Sequence, residues 1–195
     1  MEPIDTTETD LLRDYLAGDP RAFGRLYDTY ERPCFDFIRR MLCAADDATA
    51  EDLNQEVWLA VARAAGSFDA SKARFVTWLF TIARNKVMDH FRGASTVVRL
   101  AADSAEAEVH DPPDDDRLSP ECMAQNHQLA EALVREVQAL PFAQRETFVL
   151  FAHNELTLDE VAHITHVGVE TAKSRLRYAR ATLRQRLLGW RVCHA

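Results

Sequence analysis

The chain has 195 residues, 47% of them hydrophobic, with only 6 glycines and 7 prolines and a formal net charge of −8. That is enough apolar matter to bury a core in one or two helical domains, and no stretch approaches the roughly 18 consecutive apolar residues of a membrane span. The acidic, polar start MEPIDTTETD is unlike a signal peptide, and four scattered cysteines (Cys34, Cys43, Cys122, Cys193) without a Cys-x-x-Cys pair suit free thiols in a reducing cytoplasm.

Residues 11–18 read as a short helix closed by Gly18 and Pro20. In residues 21–43, Phe23, Leu26, Tyr27, Tyr30, Phe37, Ile38, Met41 and Leu42 recur at spacings of three and four, an amphipathic helix that Pro33 should kink or split. Asp46 and Asp47 end it and offer caps for the next. Over residues 49–65, Leu53, Val57, Ala60, Val61 and Ala64 form an apolar stripe beside an acidic, amide-bearing face of Glu51, Asp52, Gln55 and Glu56. A solvated face next to a core tryptophan, Trp58, has the same pattern.

A polar loop, residues 66–74, precedes a helix over 75–92. Phe75, Trp78, Leu79 and Ile82 are its expected buried side; Thr77, Thr81, Arg84, Asn85, Met88 and Arg92 share the other. Between positions 72 and 99 lie six basic residues and one acid, Asp89. Cations beside aromatics suit single-stranded nucleic acid, where phosphates need charge and unstacked bases need platforms. The same aromatics also fit a plain core.

Periodicity then disappears over residues 93–121. Positions 103–121 carry eight acids and one arginine, so most of the net negative charge sits in this one segment. Asp-Pro-Pro-Asp-Asp-Asp cannot continue a helix and buries nothing, which predicts a flexible linker between two helical domains. Leu129, Leu133, Val137 and Leu140 restart a helix. Pro141 suits a first turn, and Phe148, Val149, Leu150 and Phe151 supply a second small core.

Thr157-Leu-Asp-Glu160 fits a capping box that opens a short helix to about Ile164. Past Gly168, Ala172, Leu176, Ala179, Leu183 and Leu187 make one apolar stripe, with Lys173, Arg177, Arg180 and Arg184 as a basic stripe one position further round. Residues 171–191 hold seven Lys or Arg and no acid. A short helix, a tight turn and a long cationic helix describe a helix-turn-helix whose second helix enters a major groove. An ordinary solvated basic helix shares the periodicity.

Three stretches in this order make the chain resemble the extracytoplasmic-function (ECF) sigma factors, small members of the sigma-70 family of bacterial transcription initiation factors. EDLNQEVW (51–58) is similar to the core-polymerase-binding segment of region 2, FVTWLFTIARNKVMDHFR (75–92) to its promoter-melting and −10-reading segment, and residues 140–187 to region 4, which reads the −35 element. The resemblance implies an all-α protein of two small domains: residues 1–93 for region 2, an acidic flexible linker over 94–121, and residues 122–195 for region 4. It implies no enzyme and no cofactor, but a cytoplasmic factor that is not inserted in a membrane. Its partners would be the β′ and β subunits of core RNA polymerase, promoter DNA and an anti-sigma factor.

By the same resemblance, Glu51, Asp52, Leu53, Gln55, Glu56 and Trp58 would bind core polymerase. Ser67, Phe68, Lys72, Arg74, Trp78, Arg84, Asn85, Lys86 and Arg92 would hold −10 DNA. Thr171, Lys173, Ser174, Arg175, Arg177, Tyr178 and Arg180 would read the −35 duplex. The acidic linker would thread a basic polymerase channel or serve as a plain solvated spacer. The chain departs from the family pattern in carrying His166 where the helix-turn-helix turn often has Gly, Gly168 where a polar cap is usual, and Tyr178 where Arg is common.

Two other readings stay open on the residues alone. One is a free-standing duplex-DNA regulator, which leaves the acidic face at 51–58 without a purpose. The other is a metal or redox sensor using His163 and His166 with His153, or Cys193 with His194.

Overall fold

The computed structural model describes residues 6–43, 47–94, 120–154, 156–188 and 190. The expected linker over 94–121 falls almost wholly outside them, as do Asp46, Cys193 and His194, and the side chains of Cys122 and His153. The described residues form eight α-helices: α1 (Thr6–Leu16), α2 (Pro20–Leu42), α3 (Asp47–Ala64), α4 (Phe75–Ala94), α5 (Pro120–Gln138), α6 (Phe142–His153), α7 (Leu158–Thr165) and α8 (Val169–Arg186).

Local chemistry sets the boundaries. Gly18 turns the chain at φ +103°, and Asp19 caps α2 by accepting from Arg21 N at 2.9 Å, with Pro20 at the first helical position. Pro33 does not split α2, which runs unbroken for 23 residues. An interior proline costs about 3 kcal/mol, and each large apolar side chain fully buried returns roughly 1.5–3 kcal/mol. Leu26, Phe37, Ile38 and Met41, all fully buried on α2, outweigh it. Helix α5 starts at Pro120 and so takes in the last two residues of the expected linker.

Helices α1–α4 pack in sequence, and α5, α6 and α7 pack on α8. The two sets also pack on each other, α4 against α7 and α2 against α6, and their buried side chains form one continuous core rather than a second, separate one. This changes the reading of α4. Trp78 and Ile82 are only partly buried, whereas Thr77 is buried at 2% exposure because α7 covers it. Leu133, part of the apolar repeat that restarts the helix, is exposed, while Ala132, Val137 and Leu140 are buried.

Candidate nucleic-acid interface

The helix-turn-helix is assembled as its sequence specifies. Thr157 Oγ1 accepts from Glu160 N at 3.3 Å while Glu160 Oε2 accepts from Thr157 N at 2.8 Å, the full capping box at the start of α7. His166 ends α7 in the left-handed region at φ 55°. On α8, Ala172, Leu176, Ala179 and Leu183 are buried, and Lys173, Arg177, Arg180 and Arg184 are exposed along the neighbouring stripe. Thr171 and Tyr178 are exposed as well; Ser174 and Arg175 are partly covered. Lys173 pairs with Glu170 at 2.6 Å, and that bond raises its pKa. The Arg177 guanidinium lies 5.1 Å from the Tyr178 ring centre, and Arg180 lies 5.1 Å from that of Phe151.

The second cationic surface lies on α4 and the loop before it. Ser67 closes a 3₁₀ turn by donating to Ala64 O at 2.7 Å. Asp69 accepts from the hydroxyl and backbone of Ser71 and pairs with Lys72 at 3.1 Å, which holds its carboxyl down at about 2. Phe68 packs edge-on to Phe75 and tilted against Trp78, with ring centres 6.2 and 5.2 Å away. Asn85 and Arg92 are exposed, Arg92 pairing with Asp89 at 2.7 Å. Lys86 reaches back to Glu56 of α3 at 2.9 Å, so the basic and acidic surfaces touch.

On α3, Glu51, Asp52, Gln55 and Glu56 are exposed together with Leu59. Leu53 and Trp58, expected to contact a partner, are instead buried. Trp58 is 5% exposed, edge-on to Phe23 at 5.9 Å and against Tyr27 at 4.9 Å, and it braces the acidic face from behind. An apolar stripe with period 3.6 takes in positions 53, 57 and 61 and leaves 58 at its margin, where the aromatics of α2 draw it in.

Arg74 and Arg84 do not stand free. Arg84 Nε donates to Glu146 of α6 at 2.8 Å, with the side chain of Arg84 16% exposed and that of Glu146 2%. Burial pushes the Glu146 carboxyl up, opposed by Arg84 first, then by Arg175 and His166. Glu160 Oε1 accepts from Thr77 Oγ1 at 2.7 Å and pairs with Arg74 at 3.4 Å. Burial would raise the Glu160 carboxyl, but the bonds from Thr157 and Thr77 together with Arg74 leave it lowered. Sequence reasoning missed Glu146. The signal was an acid set in the apolar run of α6, which needs a buried partner.

His163 and His166 are exposed, and among the described residues no group of three His, Cys, Asp or Glu side chains could hold a metal ion. No helix among them is long and apolar enough to cross a membrane.

An all-α chain ending in a cationic helix-turn-helix, with a second cationic helix beside an acidic one, defines a DNA-binding protein built to engage a further partner. The chain matches the Sigma-70 region 2 family over residues 26–97 and the Sigma-70 region 4 family over 137–185. It is 30% identical over 179 residues to the ECF RNA polymerase sigma factor SigW of Bacillus subtilis, covering 90% of this chain and 94% of that one. It is 33% identical to BldN of Streptomyces coelicolor, covering 92% and 65%. Two solved structures share the fold: CnrH in complex with the cytosolic domain of CnrY (TM-score 0.67, 23% identity, 94% and 98% covered), and RpoE in complex with the anti-sigma factor NepR from Bartonella quintana (TM-score 0.65, 21% identity, 85% and 96% covered). The chain belongs to the ECF sigma factors, a family of transcription initiation factors and not of enzymes.

Proposed function

We propose that this sigma factor divides promoter recognition between its two cationic helices and holds core polymerase through α3. The supporting observation is that each charged surface has its own element: an exposed acidic face on α3, a basic loop and helix at 72–92 that adjoins it at Lys86–Glu56, and an exposed cationic stripe on α8. Glu51, Asp52, Gln55 and Glu56 face a basic surface of the largest polymerase subunit, with Leu59 as an apolar contact among them. Ser67, Lys72, Asn85, Lys86 and Arg92 hold the opened −10 strand, joined by Arg74 and Arg84 when these are free. Flipping a base out of its stack costs a few kcal/mol, which contacts to the extruded base offset. Thr171, Lys173, Ser174, Arg175, Arg177, Tyr178 and Arg180 approach the −35 duplex. The working units are residues 1–93 and 122–195, acting in the cytoplasm, with an anti-sigma factor as a further partner.

The test is run-off transcription with core polymerase on genomic fragments, comparing wild type with Glu51→Lys/Asp52→Lys. Glu56 is left intact because its reversal would also release Lys86. The variant is expected to keep its melting temperature, since both sites are exposed, and to lose polymerase binding by tenfold or more, roughly 1.4 kcal/mol. Unchanged affinity for core would remove α3 as the interface.

A further inference from the structure

The α4 groups assigned above to nucleic acid include Arg74 and Arg84, and both are held by carboxylates from the other half of the chain. Glu146 lies 62 residues from Arg84 in sequence and meets it at 2.8 Å; Glu160 lies 86 residues from Arg74 and meets it at 3.4 Å while accepting from the buried Thr77. Arg175, near the start of α8, lies close enough to Glu146 to act on its charge. Between these contacts and the end of α4, Phe91 and Phe142 meet edge to face at 5.7 Å.

We propose that Glu146 and Glu160 form an intramolecular latch that occupies the α4 groups a promoter strand would use, so that closure of the free chain and strand binding exclude each other. This rests on the assignment of Arg84 to nucleic acid. Carboxylate and phosphate are both oxyanions that a guanidinium binds, so a phosphate at Arg84 competes with Glu146 for its Nε–H and its charge. At 16% exposure its side chain leaves little approach for a phosphate while Glu146 is in place. If Arg84 turned away alone, Glu146 would stay buried without its hydrogen-bonded partner, so parting of the α6–α7 surface from α4 is what lets the carboxylate reach water. Lys72, Asn85 and Arg92 lie outside the latch and stay exposed, which leaves the closed chain a partial surface from which a strand can begin to compete.

The test uses the full chain with Glu146→Gln/Glu160→Gln, and Asp14→Asn/Asp28→Asn as a charge-matched control on exposed sites of α1 and α2. X-ray scattering should give the wild type a radius of gyration close to the roughly 16 Å of a compact chain of this length, and the latch variant a larger one. Thr77→Val, which replaces the hydroxyl by a methyl of similar size, should shift it in the same direction. Fluorescence anisotropy with a short single-stranded oligodeoxynucleotide of mixed sequence should show the latch variant binding about fivefold or more tighter than the control, as the competent fraction rises. A wild type already as extended as the variants, or a latch variant binding no tighter than the control, overturns the proposal. Adding Arg84→Ala to the latch variant should abolish most of the gain. If it does not, Arg84 is no nucleic-acid contact and the competition fails with it, while the scattering still reports closure independently.

Discussion

Glu160 is one carboxylate in two structures. It completes the cap of α7 through Thr157, worth about 1 kcal/mol, and fastens α7 to α4 through Thr77 and Arg74. Only the first role was legible in the sequence, because the box lies within four residues, whereas Thr77 is 83 positions away. His166 shows the reverse case, a departure whose meaning appears only in the backbone. The family often has glycine here, and the structure supplies the reason: φ is 55°, a region where a side chain crowds the following carbonyl. His166→Gly should relieve that strain at some cost in unfolded-chain entropy, for a net gain of about 0.5–1 kcal/mol, or roughly 1–4 °C in Tm. Thermal melts of wild type and variant in the same buffer check it. A Tm that stays put or falls would show that His166 is held by more than its backbone.

At the scale of elements, the 3.6-residue period carried most of the information. It placed the buried and cationic stripes of α8 correctly, because α8 is amphipathic and packs on one side only. It misplaced Thr77 and Arg84 because α4 is covered from two directions, by the N-terminal helices and by α7 and Glu146 of α6, and a second covering surface leaves no period of its own. The stripe on α8 also separates reading from attraction. A straight helix leaves the groove as it lengthens, so only its N-terminal turns approach base edges. Arg175 and Arg177 sit in the second and third turns, and Arg184 sits at the end of the helix. Losing a bidentate arginine–guanine contact costs about 1–3 kcal/mol and relaxes choice at one base pair, while losing a phosphate contact weakens all sequences alike. Arg175→Ala or Arg177→Ala should change the −35 sequence that the holoenzyme selects from a library. Arg184→Ala should lower affinity evenly and reduce the salt slope by about one unit. A shift in sequence preference caused by Arg184→Ala alone would mean that α8 lies in the groove along its whole length.

At the scale of the whole molecule, the two halves are joined by a buried cation as well as by the latch. Arg145 of α6, 7% exposed, donates to Gln138 O at 2.7 Å and to Met41 O at 3.1 Å, with Phe142 5.6 Å below its guanidinium. Both carbonyls belong to last turns, of α5 and α2, where a helix has no internal donors left and its dipole favours positive charge. One side chain thus caps a helix from each half of the chain. No sequence pattern reports this, since the acceptors are backbone atoms and one lies 104 residues away. A bond to a charged donor contributes about 1.5–3 kcal/mol, and a buried carbonyl left without one costs about 1–3 kcal/mol. Because the core is continuous across the two halves, the free wild-type chain should unfold in a single calorimetric transition. Arg145→Ala removes both caps, so its α2–α6 contact should fail before either half melts, giving two resolved transitions with the first well below the wild-type Tm. Arg145→Lys can reach one carbonyl but not both, and should fall between. A single transition near the wild-type Tm in Arg145→Ala would show that the apolar contacts alone join the two halves.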